Sequence, residues 1–288
     1  MLTIKNDHKW SACPLCLSKD IEYLGKIDYR KPVMFSTHLI ELQEVSSICQ
    51  CGSCKSWFTQ NILHENDALE LYKNGESNTK WLRQTGFVEE KPRNIVHRLK
   101  QYFIEGKRVL DVGCNIGSLL DFAGSKGCYT FGVEPSITSQ AILCDKGHRS
   151  FSSIDEVRGQ FDVITAFDLV EHLHDLLGSI IKFKQLLVEG GVLILLTGDV
   201  DSLSARLTKN DWWYLKAPEH IVFPSRQFFR ELDDFELLSI DGTYASVGYM
   251  KSIFWVLAQY FRKKILLGNY QGLPALGPDH MLVVLRKI

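Results

Sequence analysis

Three sets of residues in this sequence have types and spacings suited to chemistry. The first is Asp111, Gly113, Cys114 and Gly117, which follow the apolar residues Val109 and Leu110 and lead into Ser118–Ala123. An apolar β-branched run reads as a buried parallel strand, the glycines as a tight turn, and the following residues as a helix. Such a junction lets a ligand approach bare backbone at a helix N-terminus. About twenty residues further on, a second short strand ends in Glu134, placed to accept hydrogen bonds from both hydroxyls of a ribose. The two together read as the nucleoside-binding half of a doubly wound sheet. The second set is Cys13 with Cys16 and Cys51 with Cys54. Two Cys-x-x-Cys pairs let four thiolates converge on one zinc, a closed site that is structural rather than catalytic. Cys49 is a spare thiol beside the second pair. A redox role is the rival, but a redox pair sits at a helix start after a strand, and two of them in one chain would be unusual. The third set is Asp168, His172, His174 and His220, candidate proton acceptors, with Trp212 and Trp213 able to stack on a ring.

The elements that must position these residues follow from hydrophobic period. Strands are predicted at 108–113, 129–133, 161–167, 192–197, 235–240 and 281–286, with a short one near 148–151. Helices are predicted at 117–126, 136–146, 175–189 and 225–233. That alternation implies a parallel sheet with helices on both faces, whose ligands lie beyond the carboxyl ends of the strands. Residues 65–105 read as helical, the last part with Ile95, Val96, Leu99, Tyr102 and Phe103 on one face. Tyr72 to Gln84 is either a lid or a connector. Ile21–Leu24 and Leu42–Ile48 read as strands of a zinc ribbon with a long hairpin. The expected organisation is a zinc-binding module at 1–65, a helical connector at 66–105 and an α/β domain at 106–288, with an insertion at 244–279.

Composition narrows the classes. The chain has 288 residues, 45% hydrophobic and 23% charged, as in soluble globular proteins. A formal net charge of -1 gives no bulk attraction to nucleic acid or to an anionic membrane. No signal-peptide-like or membrane-spanning run is evident, so a cytoplasmic location is expected. The amphipathic stretch 249–265 is expected to cap the core or contact a partner, with interfacial membrane contact as the sharper alternative. Oligomeric state is open.

The dinucleotide fingerprint Gly-x-Gly-x-x-Gly is absent from the turn. Asp111-x-Gly113-x-x-x-Gly117 instead resembles motif I of class I S-adenosylmethionine-dependent methyltransferases. Asn115 stands where most members have a third glycine, and Asn tolerates positive φ. The resemblance implies a Rossmann-like seven-stranded sheet with its last strand antiparallel, behind a zinc-ribbon-like module. It implies that Gly113, Cys114 and Gly117 cradle S-adenosylmethionine, that Asp111 orders the turn and orients the amino group, and that Glu134 takes the ribose. Phe167 and Asp168, at the end of the fourth strand, would face the sulfonium. Asp168-x-x-Glu171-His172 and Pro218-Glu219-His220 resemble the branch containing ubiquinone-type O-methyltransferases and many sugar and surface-glycan methyltransferases. In quinone-type members Glu171 with His172 is also a candidate pair for a divalent ion. The cysteine knuckles occur ahead of such domains, including in sugar C-methyltransferases. The implied activity is methyl transfer to a sugar, sugar nucleotide or surface glycan. The alternatives are O-methylation of a small aromatic or quinone metabolite, and a zinc-bearing, methyltransferase-like binding module without turnover. His220 and His172 are the expected bases, and Trp212 and Trp213 the expected acceptor contacts.

Overall fold

A computed structural model describes residues 2–27, 32–75, 86–246 and 275–288, with 254, 255, 258 and 261. The expected lid at 72–84 and the amphipathic stretch 249–265 lie largely outside the described residues.

The main sheet has seven strands. They are β7 (Arg108–Val112), β8 (Tyr129–Val133), β9 (Arg149–Phe151), β10 (Phe161–Phe167), β11 (Leu187–Gly198), β13 (Phe235–Thr243) and β14 (His280–Lys287), in the order β13-β14-β11-β10-β7-β8-β9. β14 pairs antiparallel with both neighbours, and the other pairings are parallel. The expected architecture is therefore present, reversed last strand included. Alternation along each strand explains why both faces are covered. Leu110, Ile164, Leu193, Leu195 and Val283 point to one apolar cluster, while Val109, Val163, Ile194, Leu196 and Val284 point to the other. The first face takes helix Leu176–Leu186, and the second takes helices Arg93–Lys100 and Ser118–Gly124. Helix starts carry the expected side-chain caps. Ser136, Asp175, Ser202 and Ser225 each accept a backbone N–H three residues on.

The N-terminal cysteines lie in a second sheet, ordered β12-β6-β5-β2, where β2 is Ile21–Lys26, β5 is Ser47–Cys51, β6 is Trp57–Gln60 and β12 is Val222–Phe223. A small third sheet joins β1 (Leu2–Ile4), β4 (His38–Leu42) and β3 (Val33–Phe35). The single strand read at Leu42–Ile48 is instead the end of β4, a turn, and the start of β5. β12 comes from far downstream and pairs antiparallel with β6, Val222 opposite Phe58 and Phe223 opposite Trp57. Ser225 adds a hydrogen bond from its N–H to Ser56 Oγ at 3.0 Å. Cys13, Leu15, Cys51, Phe58 and Ile62 join the apolar cluster that contains Ile164, Leu193 and Phe228. One continuous core thus runs from the cysteine segment into the main sheet.

Candidate active site

The turn after β7 has Gly113, Asn115 and Gly117 at φ of 75°, 47° and 80°. These left-handed values are why glycine and asparagine occupy it. Space demands glycine as well. A Cβ on Gly117 would lie 2.7 Å from Leu143 Cδ2, and one on Gly113 would lie 3.1 Å from Leu169 Cδ1. Glu134, at the end of β8, reaches back to this turn. Its two oxygens accept the Asn115 and Ser136 backbone N–H groups, each at 2.9 Å. Asp111 is buried and accepts the Thr165 hydroxyl at 2.6 Å. Burial pushes the Asp111 carboxyl up to about 7; the Thr165 hydroxyl opposes the rise, and the charge of Glu134 adds to it. Burial also raises Glu134, against the two backbone donors. The result is two buried carboxylates beside a bare-backbone turn, ready for a ligand that brings hydroxyl donors and a cation. Cys114 offers only backbone there. Its sulfur packs toward Gly132, where an added Cβ would meet it at 2.5 Å.

At the end of β10, Phe167 is followed by Asp168, a non-glycine residue at φ 50°. Asp168 Oδ2 lies 3.3 Å from Lys91 Nζ, and the Asp168 side chain is 38% exposed. Burial pushes this carboxyl up, but Lys91 and His280 beside it outweigh that and hold it below the ordinary range.

The residues after Asp168 turn inward. Glu171 is fully buried, accepting from the Tyr214 hydroxyl and, at 2.9 Å, from Thr197 Oγ1. Burial, with Asp168 adding to it, pushes the Glu171 carboxyl up to about 7. His172 Nδ1 lies 2.9 Å from the Tyr72 hydroxyl and 3.0 Å from the Glu219 carbonyl. His220 Nδ1 donates to the Tyr214 carbonyl at 2.7 Å. The two imidazoles meet edge-on with centroids 4.7 Å apart. Burial lowers the pKa of both, that of His220 far below the usual imidazole range. The two candidate bases named from the sequence, His172 and His220, thus lie side by side; His220 is only 5% exposed, and His172 is partly buried. Glu171, His172 and His220 present ligand atoms within 4.8 Å of one another. A divalent ion there would have to displace the Tyr214 and Thr197 hydroxyls from Glu171. His174 turns away, its Nε2 donating to the Leu63 carbonyl at 2.9 Å.

The paired tryptophans separate. Trp212 is 1% exposed, packed among Trp57, Tyr214 and Phe223, and is a core residue rather than an acceptor contact. Trp213 is half-buried and donates its indole N–H to Asp279. Asp279 and His280, at the start of β14, were not singled out by the sequence. A His in front of an apolar strand carries no motif, and the antiparallel return that delivers it to this edge is a property of the fold.

The cysteines converge as their spacing suggests. Cys13 Sγ lies 3.7 Å from Cys54 Sγ and Cys16 Sγ 3.4 Å from Cys51 Sγ, with all four sulfurs within 4.8 Å of one another. Tetrahedral zinc–thiolate bonds place sulfurs about 3.8 Å apart, so the donor set fits the metal. Both knuckles turn alike, with Leu17 and Lys55, each just after the second cysteine, at φ 61° and 60°. Cys49 stands outside the set, buried on β5.

The sheet order, the glycine turn and the acid at the end of β8 define an S-adenosylmethionine-dependent methyltransferase of class I. Comparison with known proteins agrees. The methyltransferase-domain family (Methyltransf_23) matches residues 83–236, over half of the chain, and the chain belongs to that family. It is 31% identical over 103 residues to a ubiquinone biosynthesis O-methyltransferase of Bradyrhizobium sp. (strain ORS 278), covering 33% of this chain and 41% of that one. It is 29% identical over 157 residues to the protein of the same name from Haemophilus ducreyi, covering 47% of this chain and 66% of the relative. The match thus spans less than two thirds of these relatives. Among solved structures, magnesium protoporphyrin IX methyltransferase from Synechocystis PCC 6803, with bound SAM, superposes with a TM-score of 0.50 at 14% identity. That alignment covers 78% of this chain and 98% of the other, and it shows the shared fold.

Proposed function

We propose that this methyltransferase transfers its methyl group to a hydroxyl of a small aromatic or quinone-type molecule. The names of its sequence relatives support an O-methyl acceptor. The observation that carries the reading is Asp168. Its side chain is 38% exposed whereas His220 is buried, and it is a carboxylate held below the ordinary range at the carboxyl edge of the sheet. The sulfonium already activates the methyl group, so the protein has to align the acceptor and accept a proton. In this reading Gly113, Cys114 backbone and Gly117 cradle the cofactor, and Asp111 meets its ammonium. Glu134 takes the ribose hydroxyls, Phe167 lines the sulfonium end, and Trp213 borders the acceptor. His172, partly exposed, and His220, buried, are the alternative bases. His220→Ala would then keep cofactor affinity and lose at least about a hundredfold in turnover, with His172→Ala as the companion variant. A sugar, sugar-nucleotide or surface-glycan acceptor has the same hydroxyl chemistry and rests on the cysteine knuckles and on the segments Asp168–His172 and Pro218–His220, which quinone-type members share. A turnover-free binding module fits poorly with an intact turn and Glu134.

Cys13, Cys16, Cys51 and Cys54 are proposed to hold one structural zinc. Four thiolates leave no open coordination position, so its contribution is to folding.

Calorimetry with S-adenosylhomocysteine tests the cofactor site. Glu134→Ala removes charge-assisted bonds of about 1.5–3 kcal/mol each, and Gly113→Arg fills the cradle, so both variants should lose affinity. Unchanged affinity in both would sink the assignment. Label transfer from methyl-labelled S-adenosylmethionine to a catechol panel and a nucleotide-sugar panel then identifies the acceptor class.

A further inference from the structure

The Asp279 and His280 side chains are fully buried where β14 begins. Asp279 Oδ1 lies 2.9 Å from His280 Nδ1, and Oδ2 accepts the Trp213 indole N–H. A carboxylate can only accept, so Nδ1 carries the hydrogen and donates it. Among the described residues, the other ring nitrogen, Nε2, is buried without a hydrogen-bond partner, and so is Asp168 Oδ1. These two orphaned atoms face each other at 4.0 Å. Buried polar atoms are nearly always paired; here two acceptors lie side by side with no hydrogen between them, and one arriving proton would pair both. The other Asp168 oxygen belongs to the exposed part of the site, beside Lys91. Asp168 is held there on a left-handed backbone, a conformation that persists only when its surroundings fix it.

We propose that Asp168, His280 and Asp279 form a relay that removes the acceptor's hydroxyl proton. Asp168 meets the acceptor, and His280 is the positioning residue that receives the proton behind it. This rests on the O-methylation reading above. In the transfer, a lone pair of the acceptor oxygen forms the O–CH₃ bond as the C–S bond breaks, and its electron pair stays on sulfur as a neutral thioether. The hydroxyl proton passes to Asp168 Oδ2, and a turn of the carboxyl about Cβ–Cγ presents that proton to His280 Nε2. The carboxylate is restored, and the imidazolium is held by Asp279. Closing the gap to hydrogen-bond length takes a shift of about 1 Å. Trp213 fixes Asp279, so the imidazole keeps one tautomer and one orientation.

The full-length, metal-replete protein allows two tests. In ¹⁵N-histidine-labelled protein, Asp168→Asn is expected to move the Nε2 resonance of His280 and leave its Nδ1 resonance in place, because only Nε2 faces Asp168. An unmoved Nε2 overturns the relay. In the second test, methyl transfer to catechol is followed. His280→Asn keeps a donor toward Asp279 and deletes Nε2. Its kcat should fall at least about a hundredfold while KM and S-adenosylhomocysteine affinity stay within about twofold. Imidazole added to His280→Gly should restore turnover. The Asp168→Asn/His280→Asn double variant should be no slower than the slower single variant, as for residues acting as one unit. Wild-type kcat in His280→Asn, or losses that multiply in the double variant, would overturn the proposal. Failure of the wild type to bind S-adenosylhomocysteine would condemn the cofactor site instead. Binding without transfer to catechol would condemn the aromatic acceptor, and the resonance test then decides the relay.

Discussion

In the proposed cofactor site, Asp111 should link protonation to binding. With its carboxyl pushed up to about 7, roughly half of the molecules carry the proton at neutral pH. A cationic ammonium favours the ionised form, so binding S-adenosylmethionine should release a proton, and affinity should rise with pH through 7. Calorimetry at pH 6.5 in buffers of different ionisation enthalpy checks this. The proton release should vanish in Asp111→Asn. The same shift acts on folding. A carboxyl raised in the folded state contributes fully below its unfolded value of about 4, and the contribution fades as pH rises toward 7. The depressed imidazoles His172 and His220 act in the opposite sense, costing stability as pH falls below about 6.5. At this scale the sequence was partly legible. Gly113, Gly117 and Glu134 announce themselves because positive φ and a ribose acid demand particular residue types. Trp212 and Trp213 are the same type side by side, and only packing against Trp57 and Phe223 buries the first and leaves the second partly open. His280 has no local signal: an Asp-His pair such as Asp279-His280 is no motif by itself, and Asp168 and Trp213 reach it only through the tertiary fold.

Among the elements, the strands and helices of the main sheet were readable because alternation and 3.6-residue spacing are strong where both faces are buried. β12 was not, since a two-residue strand carries no period. Yet β12 joins the cysteine sheet, the proposed metal site, to the segment beside Glu171 and His220. Ile221 donates its N–H to the Glu171 carbonyl at 2.8 Å, and Thr59 donates its hydroxyl to the His220 carbonyl at 3.2 Å. Removal of zinc should therefore reach beyond the first sixty residues. Chelation is expected to lower the melting temperature of the entire chain in one transition and to reduce turnover more than cofactor affinity. Elemental analysis, scanning calorimetry and S-adenosylhomocysteine titration of the chelated protein measure the three parts. Full stability after complete zinc loss would refute the coupling.

At the scale of the molecule, the α/β class and the reversed last strand were legible, while the joining of two sheets through residues 221–225 was not. No helix among the described residues is long and apolar enough to cross a membrane. Because Cys13, Phe58 and Ile62 share an apolar cluster with Phe228 and the main sheet, a fragment starting at residue 66 would expose that face. It should express as an aggregating or molten species, losing near-ultraviolet circular dichroism while keeping far-ultraviolet signal. A fragment that unfolds as sharply as the intact chain would disprove this. The shared sheet also sets an order of assembly during translation. Bonds that complete the cysteine sheet join residues 161 to 171 positions apart. Both knuckles precede β12 in the chain, and the edge of β6 stays unpaired until β12 emerges. A β-sheet that holds the four cysteines is thus closed by residues translated far downstream, and its last pairing cannot precede them.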